Sequence, residues 1–149
     1  MPITYELMDE SGRFVYSRAT GVLTDVELLS NEERLLKDSR ICPGFRHLLD
    51  LRWVRDDRVT ERVVDLLRLL HERYHDKVQH ASYAVVAHSA LWFRMGTCYS
   101  RHSELASLIV FNDPMTACTW LGLRDYLPDC QIWRPRRSKL SIAAKVDVA

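Results

Sequence analysis

The sharpest chemical motif in this sequence is the pentapeptide at 71–75, which reads His-Glu-Arg-Tyr-His. On a helix, residues four apart lie on one side, so His71 and His75 would project both imidazoles toward one zinc ion. Glu72, between them, could then act as a base on zinc-bound water. The pattern is typical of a zinc-dependent hydrolase, which is one alternative function for this chain.

The surroundings of this motif argue against a zinc centre. The apolar stripe of the predicted helix, centred on Leu70, places both histidines on its flank instead of beneath a cleft. Arg73 adds a cation beside the would-be metal. The extended form of the motif needs glycine at 78 and histidine at 81, where this chain has Val78 and Ala81. We therefore predict no metal, and the two histidines remain weak candidates.

A second pair, Cys98 and His102, lies one turn apart in another predicted helix and would suit a thiol–imidazole nucleophile. The apolar periodicity of that helix puts both residues on its buried face with Met95 and Tyr99. A buried thiol is inert, so we expect core positions and no catalysis here.

A carboxylate interrupts the apolar face of the first predicted helix. Glu32 falls within a stripe that consists of Leu28, Leu29, Leu35 and Leu36. Since an unpaired buried charge is costly, the carboxylate must be paired, reach solvent at an edge, or face a cavity or partner. An edge position is the favoured interpretation, and a ligand or dimer contact is the alternative.

Composition excludes several other classes of function. The chain has 149 residues, 47% of them hydrophobic and 28% charged, with a formal net charge of +1. Such a balance gives no global attraction to nucleic acid or anionic membranes, and no nucleic-acid partner is predicted. A short basic stretch at 133–139 could contact phosphates, but a solvated tail is its ordinary interpretation.

Localisation signals and cofactor motifs are missing from the sequence as well. No apolar run approaches the roughly 20 residues that span a bilayer, and the first residues lack a basic segment followed by an apolar run, so we expect no secretory signal. With four scattered cysteines read as reduced thiols, we predict a cytoplasmic protein. No Walker loop, G-x-S-x-G elbow or G-x-G-x-x-G sequence occurs, so neither a catalytic residue set nor a cofactor is predicted.

Periodicity predicts an α/β domain over residues 1–123, in the order β-β-α-β-α-β-α-β-α. Strands alternating with helices imply a mostly parallel sheet, here opened by an antiparallel hairpin. Thr24 and Glu27 form a capping box for the first helix, Thr60 is expected to cap the second, and Asp113-Pro114 starts the last. Residues 124–149 are expected to be an extension, either a tail or a dimer arm.

Three segments resemble one known family. They are Phe-Arg-His-Leu-Leu-Asp-Leu-Arg at 45–52, the strand-to-helix segment at 85–95, and Val-Phe-Asn-Asp at 110–113 followed by Ala117, Trp120 and Leu121. With the element order, they resemble the SpoIIAA-like branch of the STAS superfamily, whose fold is also similar to the SEC14 lipid-binding module.

This resemblance implies a binding or regulatory module of the kind found among small bacterial proteins of unassigned role. In the anti-sigma-factor antagonists, a serine after the central strand is phosphorylated, but here no serine stands there. The nearest hydroxyl is Thr60, a possible phospho-switch, although Asp56 and Asp57 would oppose a phosphate.

Two binding hypotheses follow. The favoured one is a non-catalytic interaction module, a homodimer that uses the aromatic surplus of Trp53, Trp92 and Phe93. The alternative is a protein that binds a small apolar molecule or a lipid beyond the carboxyl ends of the strands. Its possible ligand pocket comprises Asp50, Arg52, His88, Ser89 and Glu32.

Overall fold

The structure, a computed structural model, describes residues 2–123. Its elements, in chain order, are β1 (Ile3–Leu7), β2 (Phe14–Leu23), α1 (Asp25–Lys37), β3 (Arg46–Asp57), α2 (Arg62–Arg73), α3 (His75–Val78), β4 (Ser82–Val86), α4 (Ala90–His102), β5 (Ser107–Phe111) and α5 (Pro114–Leu121). The five strands form one sheet in the order β1-β2-β3-β4-β5. β1 is antiparallel to β2 and the other neighbours are parallel. The predicted α/β class and mostly parallel sheet are confirmed.

Local capping signals set several helix ends as predicted. The Thr24 hydroxyl accepts from the Glu27 backbone N–H, while the Glu27 carboxylate accepts from the Thr24 N–H. The Asp113 carboxylate caps α5 by accepting from the Met115 and Thr116 backbone N–H groups, with Pro114 at the first turn. α5 ends at Gly122, whose φ of 75° lies in the left-handed region that glycine tolerates.

The sheet separates two apolar cores. The larger core lies between one face of the sheet and α1, α2 and α4; the smaller lies under α5 on the other face. Gly96 lets α4 approach β5 closely, because a Cβ there would stand 2.6 Å from Val110 Cγ2. A glycine inside a helix predicts close packing by another element, and β5 packs there.

Two strands run further than predicted. The sequence pattern predicts a second strand from Phe14 to Ala19, but β2 reaches Leu23 and pairs there with Asp57 at the end of β3. The compact apolar run at 47–51, which predicts a central strand, is therefore the first half of a longer one. The extension is polar and increasingly exposed, so hydrophobic periodicity does not mark it.

The second helix differs most from expectation. Glu61 occupies the N-cap position of α2 without a capping side chain, so the prediction that Thr60 caps the helix was wrong. The leucine spacing of this helix predicts an inward Leu66, but Leu66 is exposed and the buried residues include Val64 and His71. The helix is rotated about its axis relative to the stripe read from the sequence.

Candidate functional site

The H-E-x-x-H motif does not form one helical face. α2 ends at Arg73, Tyr74 leaves the helical conformation with φ −111° and ψ 38°, and His75 begins the short α3. The His75 side chain is exposed and lies 3.5 Å from Asp76. His71 is completely buried, which corrects the prediction of a flank position. Within residues 2–123, no group of three or more His, Cys, Asp or Glu side chains is arranged to hold a metal ion.

His71 instead pairs with Glu32 across the helical layer. His71 Nε2 lies 2.7 Å from a Glu32 carboxylate oxygen, and the Tyr99 hydroxyl lies 2.6 Å from Nδ1. The Tyr83 hydroxyl donates to the same carboxylate oxygen. Glu32 is only 5% exposed, so the prediction that it reaches solvent at an edge was wrong. It is a buried, paired carboxylate.

A second arm of this network runs through His47. Its Nδ1 faces the other Glu32 oxygen at 3.9 Å, and its Nε2 lies 2.7 Å from the Ser17 hydroxyl. Asn31 donates to that same hydroxyl at 3.2 Å. One consistent arrangement has Ser17 donate to Nε2, which leaves the Nδ1–H pointing at the carboxylate. His47 Nδ1 has no hydrogen-bond partner within the normal range among the described residues.

We call these seven side chains the Glu32 network: Ser17, Asn31, Glu32, His47, His71, Tyr83 and Tyr99. They come from β2, β3, β4, α1, α2 and α4. The network therefore joins the centre of the sheet to the three helices on one of its faces.

Burial and pairing shift the pKa values of this network in opposite directions. Burial alone would raise the pKa of Glu32, but hydrogen bonding and charge interaction with His71, together with His47 and Tyr83, outweigh it and lower that pKa. Burial lowers the pKa of His47 to about 4, despite the nearby carboxylate. Burial also raises the pKa of Tyr99 to about 12 and that of Tyr83 well above its ordinary value. Glu32 is thus a buried anion held by the hydrogen-bonding groups around it.

The Glu32 network has the residue types of an acid–base site but no access to solvent in this structure. His47, His71 and Tyr83 are each less than 5% exposed. A general base must reach its substrate within hydrogen-bonding distance, which this enclosure prevents. Satisfied buried polar networks fix the relative position of the elements that they join, and that is the role this geometry supports.

The predicted ligand pocket at the carboxyl ends of the strands is only partly assembled. Asp50 and Arg52 meet in a bidentate ion pair with both N–O distances at 2.9 Å, and the Tyr16 hydroxyl donates to Asp50. Glu32 lies on the opposite face of the sheet, because its partner His47 and Asp50 differ in strand parity. The structure therefore separates Glu32 from the Asp50–Arg52 pair.

His88 and Ser89 follow β4 and are exposed. Ser89 is the N-cap of α4, where its hydroxyl accepts from the Trp92 backbone N–H at 3.3 Å. In the described part of the chain, no hydrogen bond or ion pair joins either residue to Asp50.

The Thr60 hydroxyl is hydrogen-bonded to Asp25, the first residue of α1. It donates to Asp25 Oδ2 at 2.5 Å, and the Thr60 backbone N–H donates to the other Asp25 oxygen at 2.7 Å. A phosphate on Thr60 would displace this contact and meet the Asp25 charge. The phospho-switch at Thr60 stays a prediction.

The outward side of α4 carries the second predicted pair. Cys98 and His102 are exposed, which corrects their expected core positions. Trp92 instead occupies the core, where its indole N–H donates to Asp57 Oδ2 at 2.6 Å, so it is not available for an interface. Phe93 is 38% exposed, on the outward side as its position in the helix predicts.

An open groove of about 470 Å³ runs along this side of α4. We call its lining the α4 face: Phe93, Arg94, Thr97, Cys98, Arg101 and His102. Arg94 is held by Glu61 at 2.8 Å. The α4 face combines one aromatic ring, small central residues and a cationic end.

Sequence reasoning missed His47, Tyr83 and Tyr99 as partners of Glu32. One signal was available: His47 occupies an inward position of an otherwise apolar strand, as Glu32 does in its helix. Two unexplained polar residues on buried faces favour mutual pairing, because each satisfies the other.

Comparison with known proteins supports the fold. No family model matches the chain, and no curated protein is similar to it in sequence. An uncharacterised protein of the DUF3478 family from Shewanella loihica PV-4, with a SpoIIAA-like fold, is similar in structure with a TM-score of 0.53. The two chains are 15% identical over 80% of this chain and 93% of the other. Within residues 2–123, no helix combines the length and apolar character that crossing a membrane requires. The expected architecture is therefore confirmed, and the chain has a SpoIIAA-like fold.

Proposed function

We propose that this protein is a small, non-catalytic interaction module of regulatory type, which works as a homodimer paired through the α4 face. The single observation that carries the proposal is the open groove on α4, where Phe93 lies exposed. STAS proteins, which the sequence resembles, act as binding and regulatory modules.

The α4 face is self-complementary under a two-fold axis. Phe93, Thr97 and Arg101 are four residues apart and share one stripe of the helix. In an antiparallel pair of α4 helices, this stripe faces its own copy, with Phe93 of one protomer opposite Arg101 of the other. A guanidinium over an aromatic ring is attractive, and the pair would occur twice.

The centre of the same face favours close approach. Thr97 and Cys98 are small and exposed, so they allow two helices to come together near the axis. Arg94 would face His102 of the other copy, while Glu61 offsets the Arg94 charge within its own chain. The surface is thus suited to a second copy of this chain.

The test is the mass of the protein in solution, measured by light scattering over a range of concentrations. We expect wild type to reach twice the 17.4 kDa of one chain. Phe93→Glu buries a charge at the interface and is expected to weaken dimerisation at least about 100-fold. Arg101→Glu is expected to weaken it less.

Val26→Glu is the matched control, since Val26 is the most exposed large hydrophobic residue described and lies on α1. This variant should dimerise as wild type does. Circular dichroism checks that each variant is folded. A wild-type protein that stays at 17.4 kDa at high concentration would overturn the proposal, as would equal disruption by Val26→Glu.

A further inference from the structure

A cationic cluster lies on the other face of the sheet, away from both the Glu32 network and the α4 face. Arg18 on β2 is paired in register with Asp50 on β3, so both side chains leave the same face. Arg52 and Trp53 follow on β3. The guanidinium carbons of Arg18 and Arg52 stand 4.9 and 5.6 Å from the centre of the Trp53 ring.

The carboxylate of this cluster, Asp50, already has several hydrogen-bond partners. Asp50 is buried, accepts two bonds from the Arg52 guanidinium and one from the Arg52 backbone N–H, and accepts another from Tyr16. Burial and the Asp50 charge raise the pKa of the Tyr16 hydroxyl, so Tyr16 is a neutral donor. Among residues 2–123, the hydrogen bonds and ion pairs of this cluster therefore set one carboxylate against two guanidinium groups.

The guanidinium group of Arg18 is the one that Asp50 does not pair with. Among the described residues it makes no ion pair, and its buried Nε has no hydrogen-bond partner. Glu6 is the other acid nearby: it pairs in register with Tyr16 on the neighbouring strand, and no ion pair joins it to Arg18. A partly buried cation with an unsatisfied donor is costly, unless a ligand completes it.

We infer that Arg18, positioned by Trp53 beside the Asp50–Arg52 pair, binds a small oxyanion, which is a phosphate or a carboxylate group. The planar guanidinium matches both groups, since each offers two oxygens to its fork of N–H donors. The half-buried position of Arg18 leaves it reachable from solvent. Its neighbour in register on β1, Thr4, is exposed and adds a hydroxyl to the same face.

The test is a titration of the full chain with inorganic phosphate and, in a second arm, with acetate, both at constant ionic strength. Calorimetry gives the affinity and stoichiometry. Tryptophan fluorescence gives an independent signal, because the Trp53 ring contacts the binding arginine. We expect saturable binding of one anion per chain. The anion that binds more tightly, phosphate or acetate, identifies the class of oxyanion.

Arg18→Gln is expected to weaken binding at least about tenfold, while Arg55→Gln, an exposed arginine of the same strand, leaves it within twofold. Arg18→Lys keeps the positive charge but loses the planar set of N–H donors. Its anion affinity should lie between those of Arg18→Gln and Arg55→Gln, which guards against a folding defect in one variant. Absence of saturable binding in both arms would overturn the inference. An equal effect of Arg18→Gln and Arg55→Gln would also overturn it, because binding would then follow charge alone.

Discussion

The Glu32 network and the α4 face contain the same kinds of side chain in opposite settings. Glu32, His47 and His71 are enclosed, and each Glu32 oxygen faces a histidine. Cys98 and His102 lie open to solvent on a helix whose other side is in the core. Both groups have residue types that are typical of catalytic sites, but the structure encloses the first and exposes the second.

The difference shows that enclosure and partners, more than residue type, decide what such groups do. A sealed network whose members are hydrogen-bonded, with His47 Nδ1 as the exception, contributes to the stability and specificity of the fold. An exposed helix side with one aromatic residue and little internal pairing is available for contact. The Glu32 network should therefore respond to substitution through unfolding, and the α4 face through association.

Glu32→Ala is expected to have the largest effect on stability. The substitution leaves the donors of His71 and Tyr83 buried without their acceptor. Breaking a buried pair in this way costs about 3–5 kcal/mol of unfolding free energy. Urea unfolding followed by circular dichroism measures the loss.

Glu33→Ala is the control for that measurement. The Glu33 side chain is 35% exposed, and its two ion pairs are long, at 3.9 and 3.7 Å. Surface pairs of this kind contribute about 0–1 kcal/mol. Equal losses in Glu32→Ala and Glu33→Ala would contradict a structural role for the network.

Lowering the pH should have the next largest effect on stability, and it should act through the same Glu32 network. Since burial lowers the pKa of His47 from 6.5 to about 4, the unfolded chain takes up a proton first as the pH falls. The free energy of unfolding should then decrease between about pH 6.5 and pH 4, by up to about 1.4 kcal/mol per pH unit. Glu32, whose pKa is lowered, adds a further loss at lower pH.

His47→Gln separates this contribution from those of other groups. The amide can keep a hydrogen bond to Ser17 but does not titrate. The slope of the unfolding free energy against pH measures the number of protons taken up on unfolding. We expect this number to fall by about one in His47→Gln and to stay the same in His88→Gln, which replaces an exposed histidine. An unchanged slope in His47→Gln would mean that His47 titrates normally in the folded chain.

Gly96→Ala tests the inward side of α4, with a smaller expected effect. The new Cβ would approach Val110 Cγ2 to 2.6 Å, and a β-branched side chain cannot move aside freely. Overpacking costs about 1–3 kcal/mol, offset by about 1 kcal/mol because alanine favours the helix. Thermal unfolding should show a net loss of about 1 kcal/mol; a gain would mean that α4 is loosely packed on β5.

Phe93→Ala, on the outward side of the same helix, should have the smallest effect on the fold. When the protein is diluted until it is monomeric, the unfolding free energy should change by less than about 0.5 kcal/mol, because surface substitutions rarely do more. Urea unfolding at that dilution measures it. A loss above 1 kcal/mol would place Phe93 in the core.

Local features of the fold could be predicted from the sequence. The Thr24–Glu27 capping box and the Asp113 cap depend on residues two or three apart, and the structure confirms both. The close packing at Gly96 was predictable because a glycine inside a helix needs a packing reason. The mostly parallel sheet with an antiparallel first hairpin followed from the alternation of strands and helices.

Features that depend on distant residues could not be predicted. The partners of Glu32 lie 39 and 51 residues away, and the pairing of Glu32 with His71 accompanies a rotation of α2 that its own periodicity does not indicate. In α4, Trp92 takes the buried position, which turns Cys98 and His102 outward. The predicted tail, the basic stretch at 133–139 and Cys130 lie outside the described residues.

The measurement that tests the account most directly is a disulfide cross-link at Cys98. In the proposed antiparallel pair, the two copies of Cys98 would lie beside the two-fold axis, where a disulfide could join them. A chain carrying Cys42→Ser, Cys118→Ala and Cys130→Ser keeps Cys98 as its single thiol. Mild oxidation should give a covalent dimer in high yield, and adding Phe93→Glu should abolish it. A chain that stays monomeric on oxidation, or that cross-links equally well with Phe93→Glu, would contradict pairing through the α4 face.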